Sequence, residues 1–430
     1  MGAGTAQRGA CLLISGKVRK NMEFVVFAGV LLLLFIFMIV QELIQTKNQE
    51  KLFKKYLREN YGKEPPKEYS LERFARLGSY LERHKEEKQL DDITWNDLGM
   101  DEVFRRIDRT YSAAGEEYLY YTLRNISCGR EALEHLEEVV NWLQEQENIK
   151  VRIQLLMKRL GHLGKYSLYD YLDNLDYLGE RSNRKIVLGN LLYLPFLLLL
   201  FVQPAMGTIG IVLCMLWHIM TYFREKKVIE PYIISFAYVL RLIDVCEELE
   251  KQKIPAYRRE LDELREALKS LRELRRGAYW VMAGNQGKIG GNPLDILADY
   301  LRMILHLDIF QFNRMLEKLR KKTGQVENML AITGYLDMAI SVGGFRKSLE
   351  GYCIPKLEED TEKAFLHMKK GWHPLLSQPV KNSIRADRGI LLTGSNASGK
   401  STFLKMVAVN AVLALSLIHI SEPTRLLSIS

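Results

Sequence analysis

From Ile186 to Phe223 the chain carries no Asp, Glu, Lys or Arg. A stretch this apolar must be hidden in a protein core or in lipid. Its only break is Gln203-Pro204-Ala205-Met206-Gly207, where proline and glycine make a tight turn. The block therefore reads as two helices, Ile186–Val202 and Thr208–Phe223. Helices of a soluble core show polar residues at helical spacing, and these show almost none, so membrane crossing is the favoured reading. A third apolar run, Phe24–Val40 (FVVFAGVLLLLFIFMIV), has no charge in 17 residues. As a helix it spans roughly 26 Å, close to the hydrocarbon thickness of a bilayer. The sequence thus predicts three transmembrane helices: an anchor over residues 24–44 and a hairpin over 186–223.

Basic flanks orient them. Arg181, Arg184 and Lys185 precede the hairpin and Arg224, Lys226 and Lys227 follow it, while its turn is uncharged. Both hairpin ends are therefore expected on the cytoplasmic side. The anchor gives conflicting signals, with Lys47, Lys51, Lys54, Lys55 and Arg58 after it but Arg8, Lys17, Arg19 and Lys20 before it. A true start at Met22 removes the conflict and makes residues 1–23 a mis-assigned extension. A cleaved signal peptide is the competing idea, but the run is long for one and no A-x-A site follows.

Outside these runs the chain is globular in balance, with 47% hydrophobic and 26% charged residues. The formal charge of +9 favours a polyanionic neighbour, nucleic acid or an anionic membrane face, without choosing between them. The five cysteines are scattered and never form CxxC, so neither a disulfide framework nor a zinc site is indicated.

The rest reads as helix. Val103–Ile107 and Glu116–Leu123 are short amphipathic segments, and Glu131–Arg159 repeats its apolar residues near a 3.6 period. Tyr232–Arg276 is another long helical reading. Within it Glu247–Arg276 is dense in charges of alternating sign, with Pro255 near the start. That is the pattern of a solvated helix or helix pair laced with ion pairs, the functional alternative being a lever arm or DNA-facing helix. Gly284–Gly291 (GNQGKIGG) fits no phosphate-binding pattern and reads as a connector, after which Pro293–Leu319 resumes as helix.

Near the end the pattern changes. Arg388–Thr393 (RGILLT) is a short apolar run of the kind a buried parallel strand needs. Gly394-Ser395-Asn396-Ala397-Ser398-Gly399-Lys400-Ser401 matches G-x-x-x-x-G-K-[ST] at every fixed position, and Thr402–Leu415 reads as helix. The glycines let the backbone curl so that N–H groups face phosphate oxygens, and the following helix adds its positive end. Lys400 is expected at the β- and γ-phosphates and the Ser401 hydroxyl at Mg²⁺. The candidate site is thus Gly394 through Thr402, with ATP and Mg²⁺ as ligands.

With these residues in view, the chain resembles the MutS family, and more closely its membrane-anchored bacterial relatives. Trp372-His373-Pro374-Leu375-Leu376 with Pro379-Val380-Lys381-Asn382 resembles the opening of the MutS ATPase domain. Thr393–Thr402 (TGSNASGKST) is similar to that family's phosphate loop, including the asparagine at Asn396. Asp101–Asn125, with Thr110 and Gly115, is similar to the start of the MutS helical core. The resemblance implies a mainly α fold followed by the start of an α/β P-loop, ABC-type ATPase domain. It implies an ATPase that dimerises through those domains, clamps on DNA and serves mismatch repair, here on the inner face of a bacterial plasma membrane. The organisation expected is a 45–90 linker, a 91–185 core-like region, the hairpin, a 224–350 lever-like core and a 351–415 ATPase segment.

The chain also departs from the family. Only residues 45–90 separate anchor from core, and they contain no Phe-x-Glu wedge, so mismatch reading by the family's N-terminal domain is not expected. The Walker B acid and signature segment of such domains do not follow the loop, so the catalytic set is incomplete and the piece should not hydrolyse ATP. Instead Ser416–Arg425 (SLIHISEPTR) resembles a translated transposase-end sequencing adapter, which makes 416–430 an artefactual tail. Two other readings stay open: an ABC-type transporter half, and a membrane-tethered scaffold switched by nucleotide.

Overall fold

The computed structural model describes residues 37–38, 40–41, 44–64, 69, 71–86, 88–126, 129–163, 167–275, 300–357, 365–395, 398–416 and 425–426. The apolar core of the expected anchor, the 284–291 connector and most of the 416–430 tail lie outside them. The chain divides into two units, residues 1–60 and 61–430. In the first, residues 44–60 are helical.

The second unit is mainly helical. Its elements are α1 (Leu71–Arg83), α2 (Asp92–Leu98), α3 (Met100–Ile107), α4 (Ala113–Arg124), α5 (Arg130–Glu145), α6 (Glu147–Leu160) and α7 (Leu168–Asp173). The apolar block follows as α8 (Arg184–Leu191), α9 (Tyr193–Val202) and α10 (Pro204–Glu250). Then come α11 (Arg258–Leu271), α12 (Leu307–Arg320), α13 (Thr323–Lys347) and, past a small sheet, α14 (Lys400–Ser416).

α13 is the axis of the body, buried from Val326 to Arg346 on nearly every side. It lies closest to α4. A Cβ on Gly334 would sit 2.6 Å from the Ala114 carbonyl oxygen, so only glycine permits that approach. The crossing is pinned by Asp337. Its buried carboxylate accepts from Tyr111 N at 3.0 Å, Ser112 N at 2.8 Å and Ser112 Oγ at 2.6 Å. Ser112 Oγ in turn accepts from Gly115 N, capping α4. One carboxylate thereby joins a helix start to a helix more than 200 residues away.

Charge is buried beside this crossing too. Glu116 accepts from Arg76 Nη2 at 2.7 Å and Arg73 Nε at 2.8 Å. Glu117, its neighbour, accepts from Ser167 Oγ at 2.8 and 2.9 Å. Burial pushes the Glu117 carboxyl up to about 8 from 4.5, with the Ser167 bond pulling the other way. The native state then holds a proton that the unfolded chain releases, so this stability is complete below about pH 4.5 and is lost as pH rises through 8. Glu117→Gln should flatten that loss, which linkage bounds at roughly 5 kcal/mol. Circular-dichroism melts at pH 5, 7 and 9 check it; parallel pH profiles for both proteins would refute the assignment.

Several sequence expectations are redrawn. Val103–Ile107 and Glu116–Leu123 are helical, within longer α3 and α4. The 131–159 run is two helices, because Gln146 leaves helical geometry (φ −98°, ψ 66°) between α5 and α6. The charged 247–276 segment is a helix pair bent at Pro255–Tyr257, with ion pairs such as Arg265–Glu250 (2.7 Å) and Lys269–Glu266 (2.6 Å). It is not merely solvated: Leu261, Leu264, Leu268 and Leu271 of α11 are in the core. The helix expected through Leu319 breaks at His306, which adopts left-handed φ (54°).

Among the described residues two helices are long and apolar enough to cross a membrane, Arg184–Val202 (19 residues) and Pro204–Glu230 (27 residues). The expected third falls largely outside the described residues. The turn is tighter than the sequence suggested. Gln203 alone leaves the helix, and Pro204 opens the next one, where its missing N–H and fixed φ cost nothing. Ala205–Gly207 are helical, and a Cβ on Gly207 would sit 2.6 Å from Leu200 N, so the glycine serves helix contact rather than the turn. Side chains facing outward stay exposed, Phe201 at 90%.

Candidate nucleotide-binding site

After α13 the chain forms β1 (Lys356–Leu357), β2 (Leu366–Gly371), β3 (Asn382–Ala386) and β4 (Arg425–Leu426), in sheet order β1-β4-β2-β3. β2 and β3 are antiparallel, with Leu366 opposite Ala386 and Met368 opposite Ile384. Arg425–Leu426 of the expected artefactual tail pair with Lys356–Leu357 and Leu366, a two-residue contact that the sequence reading did not anticipate. The expected parallel strand over 388–393 is not formed. That segment runs without ladder partners, and Leu391 stands 88% exposed. A strand exists only through its neighbours, and no other described segment pairs with this one. Among the described residues the one parallel pairing in this sheet is the two-residue pairing of β1 with β4.

The loop and its helix do form. Gly399 adopts φ +82°, a conformation that L side chains rarely take, and Phe403 N donates to Gly399 O at 2.9 Å to open α14. Gly399 is thus where the loop turns into the helix, and the helix's positive end faces the loop. The Lys400 ammonium lies inside this curl and donates to Ser395 O at 2.6 Å and to Gly394 O. A Cβ on Gly394 would approach Ser398 Oγ to 2.9 Å, so the curl is close. Ser401 is exposed on the first helical turn; Asn396 and Ala397 lie outside the described residues.

A cleft of about 600 Å³ adjoins the loop. Thr393, Gly394, Ser398, Gly399, Lys400 and Thr402 line it, together with His373, Leu376, Val380, Asn382, Phe403 and Met406. The second group escaped sequence reasoning as site residues, although the Trp-His-Pro motif was the available signal. Burial, with Lys405 adding to it, holds the His373 imidazole below its ordinary range, so it is neutral at pH 7. Asn410 Nδ2 donates to Trp372 O at 3.0 Å, tying that motif to α14. Val409, Val412 and Leu413 of α14 join the core of the helical body, and α14 packs on α4 and α2. A helix N-terminus, a lysine and a glycine-curled loop beside a small-molecule-sized cleft fit a polyphosphate. Among the described residues that line the cleft there is no carboxylate.

No family model matches the chain. It is 28% identical to MutS protein homolog 4 of Homo sapiens over 122 residues, 26% of this chain and 12% of that protein. It is 34% identical over 119 residues to Endonuclease MutS2 of Clostridioides difficile (strain 630), 26% of this chain and 14% of the relative. DNA mismatch repair protein MutS of Leptospira interrogans serogroup Icterohaemorrhagiae serovar copenhageni (strain Fiocruz L1-130) is 30% identical over 122 residues, again 26% and 14%. The matched stretch spans about an eighth of these relatives' length. Over about a quarter of its length, this chain is MutS-like.

Proposed function

We propose that this chain is a MutS-like, ATP-binding and DNA-associated protein held at a membrane by its apolar hairpin. The observation that carries the nucleotide part is the Lys400 ammonium seated in a glycine-curled loop at the start of α14. When bound, ATP would be held by the loop N–H groups and Lys400, with Ser401 and Mg²⁺ on the same phosphates. The triphosphate would supply its charge to the loop, and binding rather than turnover is the role these residues support. DNA as partner, pairing of two copies through the ATPase segments, and a place in mismatch repair rest on the relatives' names and the family resemblance.

The membrane part is supported by two adjacent apolar helices and the basic residues at their shared base. A cytoplasmic helical body follows from that orientation, on the inner face of a bacterial plasma membrane.

Titration of the whole chain with a fluorescent ATP analogue in Mg²⁺, then with duplex DNA at 50 and 200 mM salt, tests the reading. Nucleotide binding and DNA affinity that falls at least tenfold between those salts are expected. Nucleotide binding without DNA binding would leave a tethered nucleotide switch; neither would remove the proposal.

A further inference from the structure

The last turn of α13 meets α6 around the ring of Tyr61, and positive charge gathers there. The Lys150 ammonium, from α6, lies 3.7 Å from the ring centroid, and the Lys347 ammonium, at the end of α13, lies 5.4 Å from it. Gly343 and Gly344 make the room: a Cβ on them would sit 2.6 Å from Tyr61 Oη and 2.9 Å from Arg109 Cδ. Arg109 and Arg346 both act electrostatically on the Tyr61 hydroxyl. Four cations thus share one small region.

Their counter-charges are fewer. Glu137 takes Arg346 at 2.6 Å, and Glu147 acts on Lys150 from the same helix. Asp108 and Glu64 act on Arg109, but each already holds an arginine of its own, Arg73 at 4.0 Å and Arg106 at 2.6 Å. The C-terminal end of α13 offsets about half a unit charge, which leaves roughly one and a half positive charges over. Among the described residues Lys150 and Lys347 have no ion-pair partner. Lys150 is only 6% exposed, and burial, with Lys347 adding to it, pulls its ammonium below the ordinary lysine range. The π face of Tyr61 offsets part of that cost, and an anion would offset the rest.

Position selects the source of the anion. Two residues from Lys150, Arg152 pairs with Glu248 of α10 at 3.7 Å. Glu248 lies 18 residues past Glu230, where the apolar span ends, or about 27 Å along the helix. The polar layer of a bilayer is only about 5–7 Å deep on each side, so on the membrane reading of the hairpin this cluster stands clear of lipid headgroups. Tyr352, 39% exposed, has the Arg346 guanidinium 5.3 Å from its ring centroid and adds an aromatic face of the kind on which bases stack.

We propose that this end of the body grips the phosphodiester backbone of DNA, exposed Lys347 meeting a phosphate directly and buried Lys150 acting on it through its charge. The inference rests on the DNA reading given above and supplies it with a surface.

Anisotropy of a fluorescein-labelled duplex, titrated with the whole chain in neutral detergent from 50 to 200 mM salt, tests it. Lys347→Gln should flatten the slope of log affinity against log salt by about 0.9 and weaken binding about eightfold at 0.1 M salt. Lys150→Met should weaken binding about fivefold, and should hold or raise the melting temperature because it removes an unpaired buried charge. Mg-ATP binding at the Lys400 loop should match wild type in both. Wild-type DNA affinity and slope in both variants would overturn the site and leave the DNA reading standing. A wild-type chain that binds no duplex across these salts would take both away. A melting temperature lowered by Lys150→Met with DNA binding intact would mark a packing lysine and overturn the site as well. Stabilisation by inorganic phosphate that Lys347→Gln abolishes, with DNA affinity unchanged, would give the cluster to a free anion instead.

Discussion

Asp337→Ala should cost the helical body roughly 4 kcal/mol, measured by denaturant unfolding of the whole chain. The carboxylate is fully buried and takes three donors from the turn into α4. Alanine strips it away from two main-chain N–H groups and a hydroxyl, and leaves a cavity at the close crossing of α13 and α4. Asp337→Asn keeps the shape but turns one acceptor into a donor aimed at donors, so a smaller loss of about 2 kcal/mol is expected. Gly115→Ala is the independent probe, because its new methyl would fall on the same carboxylate. If Asp337→Ala unfolds within about 1 kcal/mol of wild type, the crossing is not pinned there.

Lys400→Ala should weaken ATP binding about a hundredfold, while unfolding stability changes little. The ammonium is held in the wild type by loop carbonyls on an exposed surface, so its loss removes little folded-state packing. What it removes is the charge in the curl. Lys400→Arg should not rescue, since a planar fork replaces a compact point charge. Isothermal titration with Mg-ATP reads both variants; an affinity unchanged in Lys400→Ala would take the site assignment with it.

How much was legible in advance depends on how local each feature is. The apolar hairpin was readable because its signal is contiguous, although the placing of its turn was not. Proline at the first position of α10 looks in sequence like any helix breaker, and only the Leu200 backbone against Gly207 shows that Gly207 lies inside a helix. The glycine loop and the helix it opens were readable for the same reason: Gly399, Lys400 and the helix after them are neighbours in the chain. The strand before it was misjudged. Ile390, Leu391 and Leu392 look like a buried strand, but burial comes from partner strands, and the residues themselves do not contain them.

The rest of the cleft shows the same division. His373 and Phe403 lie on either side of the loop in the chain yet line the same cleft, with Asn410 holding Trp372 in place. The pairings of Asp337 with Ser112 and of His218 with His306 join residues 225 and 88 positions apart. No periodicity encodes such contacts.

The amino-acid order by itself determined what short windows can carry: apolar runs of bilayer length, helical period, and a glycine-flanked lysine at a helix start. Tertiary structure decided which carboxylates and imidazoles are buried, where helices bend, and whether an apolar run becomes a strand. The reason is physical. Propensity and hydropathy act over a few neighbouring residues, whereas desolvation, hydrogen-bond satisfaction and sheet pairing depend on groups that only the folded chain brings together.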